Sequence, residues 1–218
     1  ACAPFRRLSL CNKNMEKMET TKITDKNDLL ADVCYAANYE GESLIHYHEQ
    51  YQQSYPGSGH TMCTMLARSF ADIGDIIRGR DLYRGNDEEK NKEKIENKLK
   101  TIFGNIYKDV TSSGRRSGKN GQTLKTRYNG DAKKNFYQLR EDWWTANRST
   151  VWKAITCGTH KGDTYFRATC DSGDGKSQSQ ARNQCRCKDK NGQHDTDQVP
   201  TYFDYVPQYL RWFEEWAE

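Results

Sequence analysis

In the stretch ARSFADIGDIIRGRDLY, residues 67–83, Phe70, Ile73, Ile76 and Ile77 fall on one stripe if the segment is helical. Beside them, after Arg68, stand the charged side chains Asp72, Asp75, Arg78, Arg80 and Asp81. Asp72 and Asp75 are three apart, so a helix would set them side by side, able to hold a divalent cation or to divide acid and base roles. Arg78 follows Asp75 by three residues and Arg80 adjoins Asp81, so opposite charges are locally at hand. No other segment offers an obvious His–carboxylate partner. The pattern therefore predicts scaffold ion pairs at Asp72, Asp75, Arg78, Arg80 and Asp81, with a secreted metal-dependent hydrolase as the remote alternative. Gly74 and Gly79 each cost about 1 kcal/mol of helix stability relative to Ala, which predicts close approach of another backbone or helix.

Helical spacing extends to both sides. Upstream, LLADVCYAANYEGESLIHYHEQY (residues 29–51) places Leu30, Val33, Ala37, Leu44, Tyr47, His48 and Tyr51 near one stripe, and YPGSGH (55–60) is a turn. Downstream, Ile95, Leu99, Ile102, Ile106 and Val110 advance by four, three, four and four behind an acidic start at Asp87 to Glu89. TSSGRRSGKNGQ (111–122) reads as a flexible basic loop. A further helix over 135–157 puts Phe136, Leu139, Trp143, Ala146 and Ile155 on or near its buried side. Pro207 opens a last helix with Leu210, Phe213 and Trp216 or Ala217 at helical spacing. Residues 158–200 are loop-rich, and strand-like alternation is almost absent. The class is mostly α, a helical bundle with long loops clipped by disulfides.

Only 34% of the 218 residues are apolar and 29% are charged, a balance that approaches disorder, but 13 Tyr, 7 Phe and 5 Trp supply the area for a core. Eight cysteines, Cys2, Cys11, Cys34, Cys63, Cys157, Cys170, Cys185 and Cys187, include no Cys-x-x-Cys pair. A disulfide framework in an oxidising compartment is the better reading, with 105 possible connectivities. Cys185 and Cys187 are too close in sequence to bridge each other readily, so each is expected to reach a distant partner. The first 28 residues, with two cysteines and little periodicity, read as an irregular cysteine-stapled subdomain, and 29–218 as a helical one. No apolar run approaches a membrane span. Both ends look cut, which predicts a fragment whose targeting and anchoring segments lie elsewhere.

Other candidate chemistry fails on spacing. GDGKS (173–177) lacks the earlier glycine of a phosphate loop, because Cys170 stands in its place. His46 and His48, two apart on a helix, do not share a face. No Gly-x-Ser-x-Gly elbow occurs. Asn147 heads the single glycosylation sequon, inside the Trp-rich helix. No metal, cofactor or catalytic residue is predicted. Charge is more informative: over 111–134, Arg115, Arg116, Lys119, Lys125, Arg127, Lys133 and Lys134 face Asp131 alone, a surplus above the net +4 of the whole chain. Such a run is either a solvated loop or a docking patch for a polyanion. Cysteine usage points outside the cell, so a sulfated glycan outranks nucleic acid as its partner.

CAPFRRLSLC, DVCYAANYEGESL, MCTMLARSFADIGDIIRGRDLY, REDWWTANRSTVWKAITC and VPQYLRWFEEWAE, five blocks in order across the whole chain, together resemble a Duffy-binding-like domain. The likeness is to the alpha-type domains of the variant erythrocyte membrane protein of the malaria parasite Plasmodium falciparum. It implies a largely helical adhesin domain, not an enzyme, displayed on infected red cells as part of a membrane protein under antigenic variation. The partners it implies are host erythrocyte or endothelial surface receptors, heparan-sulfate-like glycans, and a neighbouring cysteine-rich domain of the same polypeptide. It also implies irregular first and helical second subdomains, with a third subdomain to follow Glu218. By the same resemblance Cys63 would pair with Cys185 or Cys187, and Cys2 and Cys11 match cysteines that in relatives can pair upstream. Four cysteines from the ARSFADIGD block onward, rather than two, are similar to variants outside the subgroup most tied to rosetting. A structural spacer that orients a neighbouring receptor-binding domain is the alternative role.

Overall fold

The computed structural model describes residues 2–54, 61–83, 89–112, 121–129, 134–171, 177–188 and 197–217. Two one-turn helices, α1 (Phe5–Leu8) and α2 (Lys13–Glu16), precede the long α3 (Lys26–Ser54), α4 (Met62–Arg78) and α5 (Glu89–Thr111). A short α6 (Gly121–Arg127) leads to α7 (Tyr137–Ile155) and then to an antiparallel hairpin of β1 (Ala168–Asp171) and β2 (Gln178–Gln180). A 3-10 turn at Phe203–Tyr205 leads into α8 (Gln208–Ala217). The fold is mostly α, and among the described residues after α7 the two strands form a hairpin.

Helix α4 lies at the centre and is buried on almost every side, the condition in which a helix need not be amphipathic. Phe70 sits between Trp144 and Trp152 of α7, at ring-centroid distances of 5.0 and 5.2 Å. Each buried α7 indole also satisfies its N–H: Trp143 donates to the Lys26 carbonyl, Trp144 to Asp204, and Trp152 to the Cys185 carbonyl. Aromatic area thus replaces missing aliphatic area without orphaned donors. Gly79 ends α4 in the left-handed region at φ 72°; its N–H donates to the Ile76 carbonyl and that of Arg80 to the Asp75 carbonyl, a Schellman close. At Gly74 the predicted close neighbour is the Trp144 indole, a side chain rather than a backbone.

Leu29, Val33, Ala36, Ala37 and Leu44 of α3 and Ile95, Leu99, Ile102, Phe103 and Ile106 of α5 complete the core. Leu10, Met15, Met18 and Ile23 join the same cluster, so the first 28 residues pack on the helices that follow. Three stripe assignments are corrected. Tyr47 of α3 is exposed, and so is Ala146 of α7, where Arg140, Trp144, Val151 and Trp152 are buried instead. Helix α8 is inverted: Leu210, Phe213 and Trp216 are 43, 68 and 52% exposed, while Gln208, Arg211 and Trp212 face inward. The reason is electrostatic, because α8 docks on the carboxylates of α4.

Two disulfides tie the post-α7 loops together and to α4: Cys63–Cys185 and Cys170–Cys187, with Cα separations of 5.5 and 5.4 Å. Cys2, Cys11, Cys34 and Cys157 stand as free thiols, which corrects the expectation of a framework using all eight. The turn at 55–60 and the acidic start at Asp87 and Glu88 lie outside the described residues. Among the described residues, no helix is long and apolar enough to cross a membrane.

Candidate functional site

The charged residues of the 67–83 stretch meet partners far away in sequence. Asp72 accepts from Arg6 at 2.7 Å, from Arg211 at 2.7 Å and from Gln208 at 3.1 Å. Asp75 accepts from Arg78 at 2.8 Å and Arg211 at 2.6 Å. Burial pushes the Asp72 carboxyl up, but Arg6 and Arg211 more than offset it and hold the group below its usual value. At Asp75 burial outweighs Arg211 and Arg78, and the carboxyl stands above that value. Arg80 pairs with Glu141 at 2.7 Å and Asp81 with Arg7 at 2.6 Å, so the adjacent Arg80–Asp81 pairing suggested by the sequence is replaced by two long-range ones.

This network ties the N-terminal segment and α8 to α4. Arg6 also donates to Ser69 and Glu215, Ser69 donates to Glu40 of α3, and the Cys11 backbone N–H reaches the same carboxylate. On the far side Asp204 receives Trp144 and both ends of the Arg148 fork, while its carbonyl takes Arg78. Arg6, Arg7, Glu40, Glu141, Arg148, Asp204, Gln208 and Arg211 were not singled out by sequence. The one sequence signal for them is the polar Gln208–Arg211–Glu215 spacing, opposite the apolar stripe of α8. Carboxylates spent in this way on arginines hold a scaffold together and leave no free base. Among the described residues, no group of three or more His, Cys, Asp or Glu side chains could hold a metal.

The basic segment gives a different surface. Lys125 and Arg127 are exposed on α6, and Lys134 is exposed just before α7 at φ 53°. Arg115, Arg116, Lys119 and Lys133 lie outside the described residues. Arg127 is forked onto Asp142 of α7 at 2.6 and 2.8 Å; Tyr128 and Gln138 donate to the same carboxylate at 3.0 Å each. The Arg127 bonds hold the Asp142 carboxyl below its usual value against the opposing effect of burial. Burial, then the bond to Asp142, pushes the Tyr128 hydroxyl up. Thr123, Thr126, Arg127 and Gln138 line a shallow groove beside this pair. Asp142 was missed because it lies on a different helix, α7, and helical periodicity carries no information between helices. His46 contacts Gln50 on an exposed face of α3, and Asn147 donates to the Trp143 carbonyl within α7.

The described residues form a disulfide-clipped helical scaffold whose buried carboxylates are taken by arginines, with exposed basic residues on α6 and just before α7. The Duffy binding domain family profile matches residues 1–211, and the chain belongs to that family. No curated protein sequence matches it. The chain is similar to the crystallised NTS-DBL1(alpha-1) domain of the Plasmodium falciparum membrane protein PfEMP1 of the varO strain, at 36% identity and TM-score 0.75, covering 100% of this chain and 43% of that one. The NTS-DBL1-alpha and CIDR-gamma double domain of the same strain matches at 38% identity and TM-score 0.76, with 100% and 28% covered. A PfEMP1 DBLbeta domain bound to ICAM-1 matches at 30% identity and TM-score 0.66, with 100% and 44% covered. The chain spans less than half the length of each.

Proposed function

We propose that this domain is an adhesion module of a parasite variant surface antigen, displayed on the infected erythrocyte, that binds host cell-surface receptors or sulfated glycans. The observation that carries the reading is the likeness, along the whole of this chain, to parts of PfEMP1 domains, among them one bound to ICAM-1. Within the domain, the basic segment is the glycan-binding candidate. Lys125 of α6 and Lys134 just before α7 are exposed, and Arg127, which lines the α6 groove, is held in place by Asp142. Arg115, Arg116, Lys119 and Lys133 belong to the same segment by sequence. Such binding weakens steeply with salt, as charge-driven contacts at an exposed surface do. Heparin chromatography at graded salt tests it: Arg115, Arg116 and Lys119 changed together to Ala should elute at lower salt, and unaltered retention sinks the patch.

A second reading, a spacer that orients a neighbouring receptor-binding domain, is favoured by the exposed apolar face of α8 and by the double-domain relative. Adhesion measured with and without the neighbouring domain separates the two. A spacer contributes nothing when presented alone.

A further inference from the structure

A cavity of about 280 Å³ opens where the N-terminal segment meets the C-terminal end of α4, the first half of α5 and the start of α7. It shares no lining residue with the α6 groove. Its apolar part is made by Leu10, Ile76 and Ile95, each nearly buried, with the half-exposed Leu8 at its edge. Two cations line it. Arg7 spends one terminal nitrogen on Asp81 at 2.6 Å and stacks over Tyr83, and its other terminal nitrogen makes no bond to protein. Lys100 reaches no closer than 3.9 Å to Glu96, beyond hydrogen-bond distance.

The acidic side chains there are differently placed. Asp81 already accepts from Arg7 and Gln208, and Glu96 accepts from the buried Arg140 through both oxygens at 3.1 Å. Glu16, whose backbone carbonyl accepts from the Lys98 ammonium, completes the wall. With Asp81 and Glu96 already paired to Arg7 and Arg140, the Arg7 nitrogen not spent on Asp81 and the Lys100 ammonium are the donors left above an aliphatic floor, a setting for a single negative charge on an apolar body. The volume sits at the small end of ligand sites.

We propose that this cavity binds a compact monocarboxylate, with its apolar body on Leu10, Ile76 and Ile95 and its carboxylate taken by Arg7 and Lys100. The proposal is independent of the adhesion reading. The test is an amide chemical-shift titration of the chain with 4-methylpentanoate, with the isosteric 4-methylpentanamide, and with glucose. The acid should shift the amides of Leu10, Ile76 and Ile95 saturably, and the neutral amide should bind about ten-fold more weakly. Lys100→Gln should weaken the acid several-fold and leave the neutral amide unchanged. Leu8→Glu, at an already exposed position, should do the same by repulsion. Spectra of both variants that otherwise superimpose on the parent establish that the fold is kept. Equal affinity for acid and amide, tighter binding of glucose, no saturable shift at the three amides, or an indifferent Lys100→Gln variant each overturn the proposal.

Discussion

Arg211 of α8 and Asp75 of α4 lie 2.6 Å apart across 136 residues of sequence, and the same Arg211 nitrogen reaches Asp72 at 2.7 Å. That one guanidinium neutralises two buried carboxylates and fixes which face of α8 turns inward. Replacing it with Met keeps the volume but leaves Asp72 to Arg6 and Gln208 and Asp75 to Arg78 alone. Arg211→Met should destabilise the chain by about 3–5 kcal/mol, the usual cost of breaking a buried pair from one side. Urea denaturation at neutral pH measures this, and a loss below about 1 kcal/mol would show that Arg6 and Gln208 suffice.

The outward face of α8 makes the opposite prediction. Phe213 is 68% exposed, so Phe213→Ser removes little packing. Its stability should stay within about 0.5 kcal/mol of the parent, as for surface substitutions generally. A large loss in denaturation would place Phe213 in the core after all.

Gly41 marks the crossing of α3 and α7. A Cβ there would lie 2.1 Å from the carbonyl oxygen of Ile155, a backbone atom that cannot swing aside. Gly41→Ala should therefore cost about 1–3 kcal/mol despite the better helix propensity of Ala. Thermal unfolding reads it; a raised midpoint would mean that propensity wins over the clash.

Cys63–Cys185 closes a separation of 122 residues and joins α4 to the post-α7 loops. Cys63→Ala with Cys185→Ala should lose about 2–5 kcal/mol. Cys170→Ala with Cys187→Ala, closing only 17 residues, should lose less. Denaturation of the two double variants side by side tests the order, and the reverse order would contradict the loop-length argument.

Asp142 has a folded pKa below its unfolded value of 3.8, chiefly through Arg127. A depressed carboxylate contributes stability above that value and loses it as pH falls. Asp142→Asn should therefore be less stable than the parent at pH 7, and the difference should shrink below about pH 3. Urea denaturation at the two pH values checks it. A difference that persists unchanged in acid would assign the effect to packing.

Much of the fold was legible because it rests on local periodicity. The Ile95–Leu99–Ile102–Ile106 spacing is a buried face of α5, and Phe70, Ile73, Ile76 and Ile77 are buried in α4. The inverted α8 was not legible. Its apolar stripe is as regular as that of α5, and hydrophobic spacing carries no record of which face meets a cluster of carboxylates. The α6 groove depends on Asp142, whose pairing with Arg127 joins two helices that no periodicity relates.

By itself the sequence determined the helical class, the aromatic character of the core, the family to which the chain belongs and the location of the excess positive charge. These follow from short-range spacing, residue chemistry and motif order. Only the tertiary structure decided that Asp72, Asp75 and Asp81 pair with Arg6, Arg7 and Arg211. It also decided that four cysteines rather than eight bridge, and that α8 shows its aromatic face to solvent. The physical reason is common to all three. Charges, sulfurs and helix faces choose partners by distance in space, and that distance is set only once α3, α4 and α7 have packed.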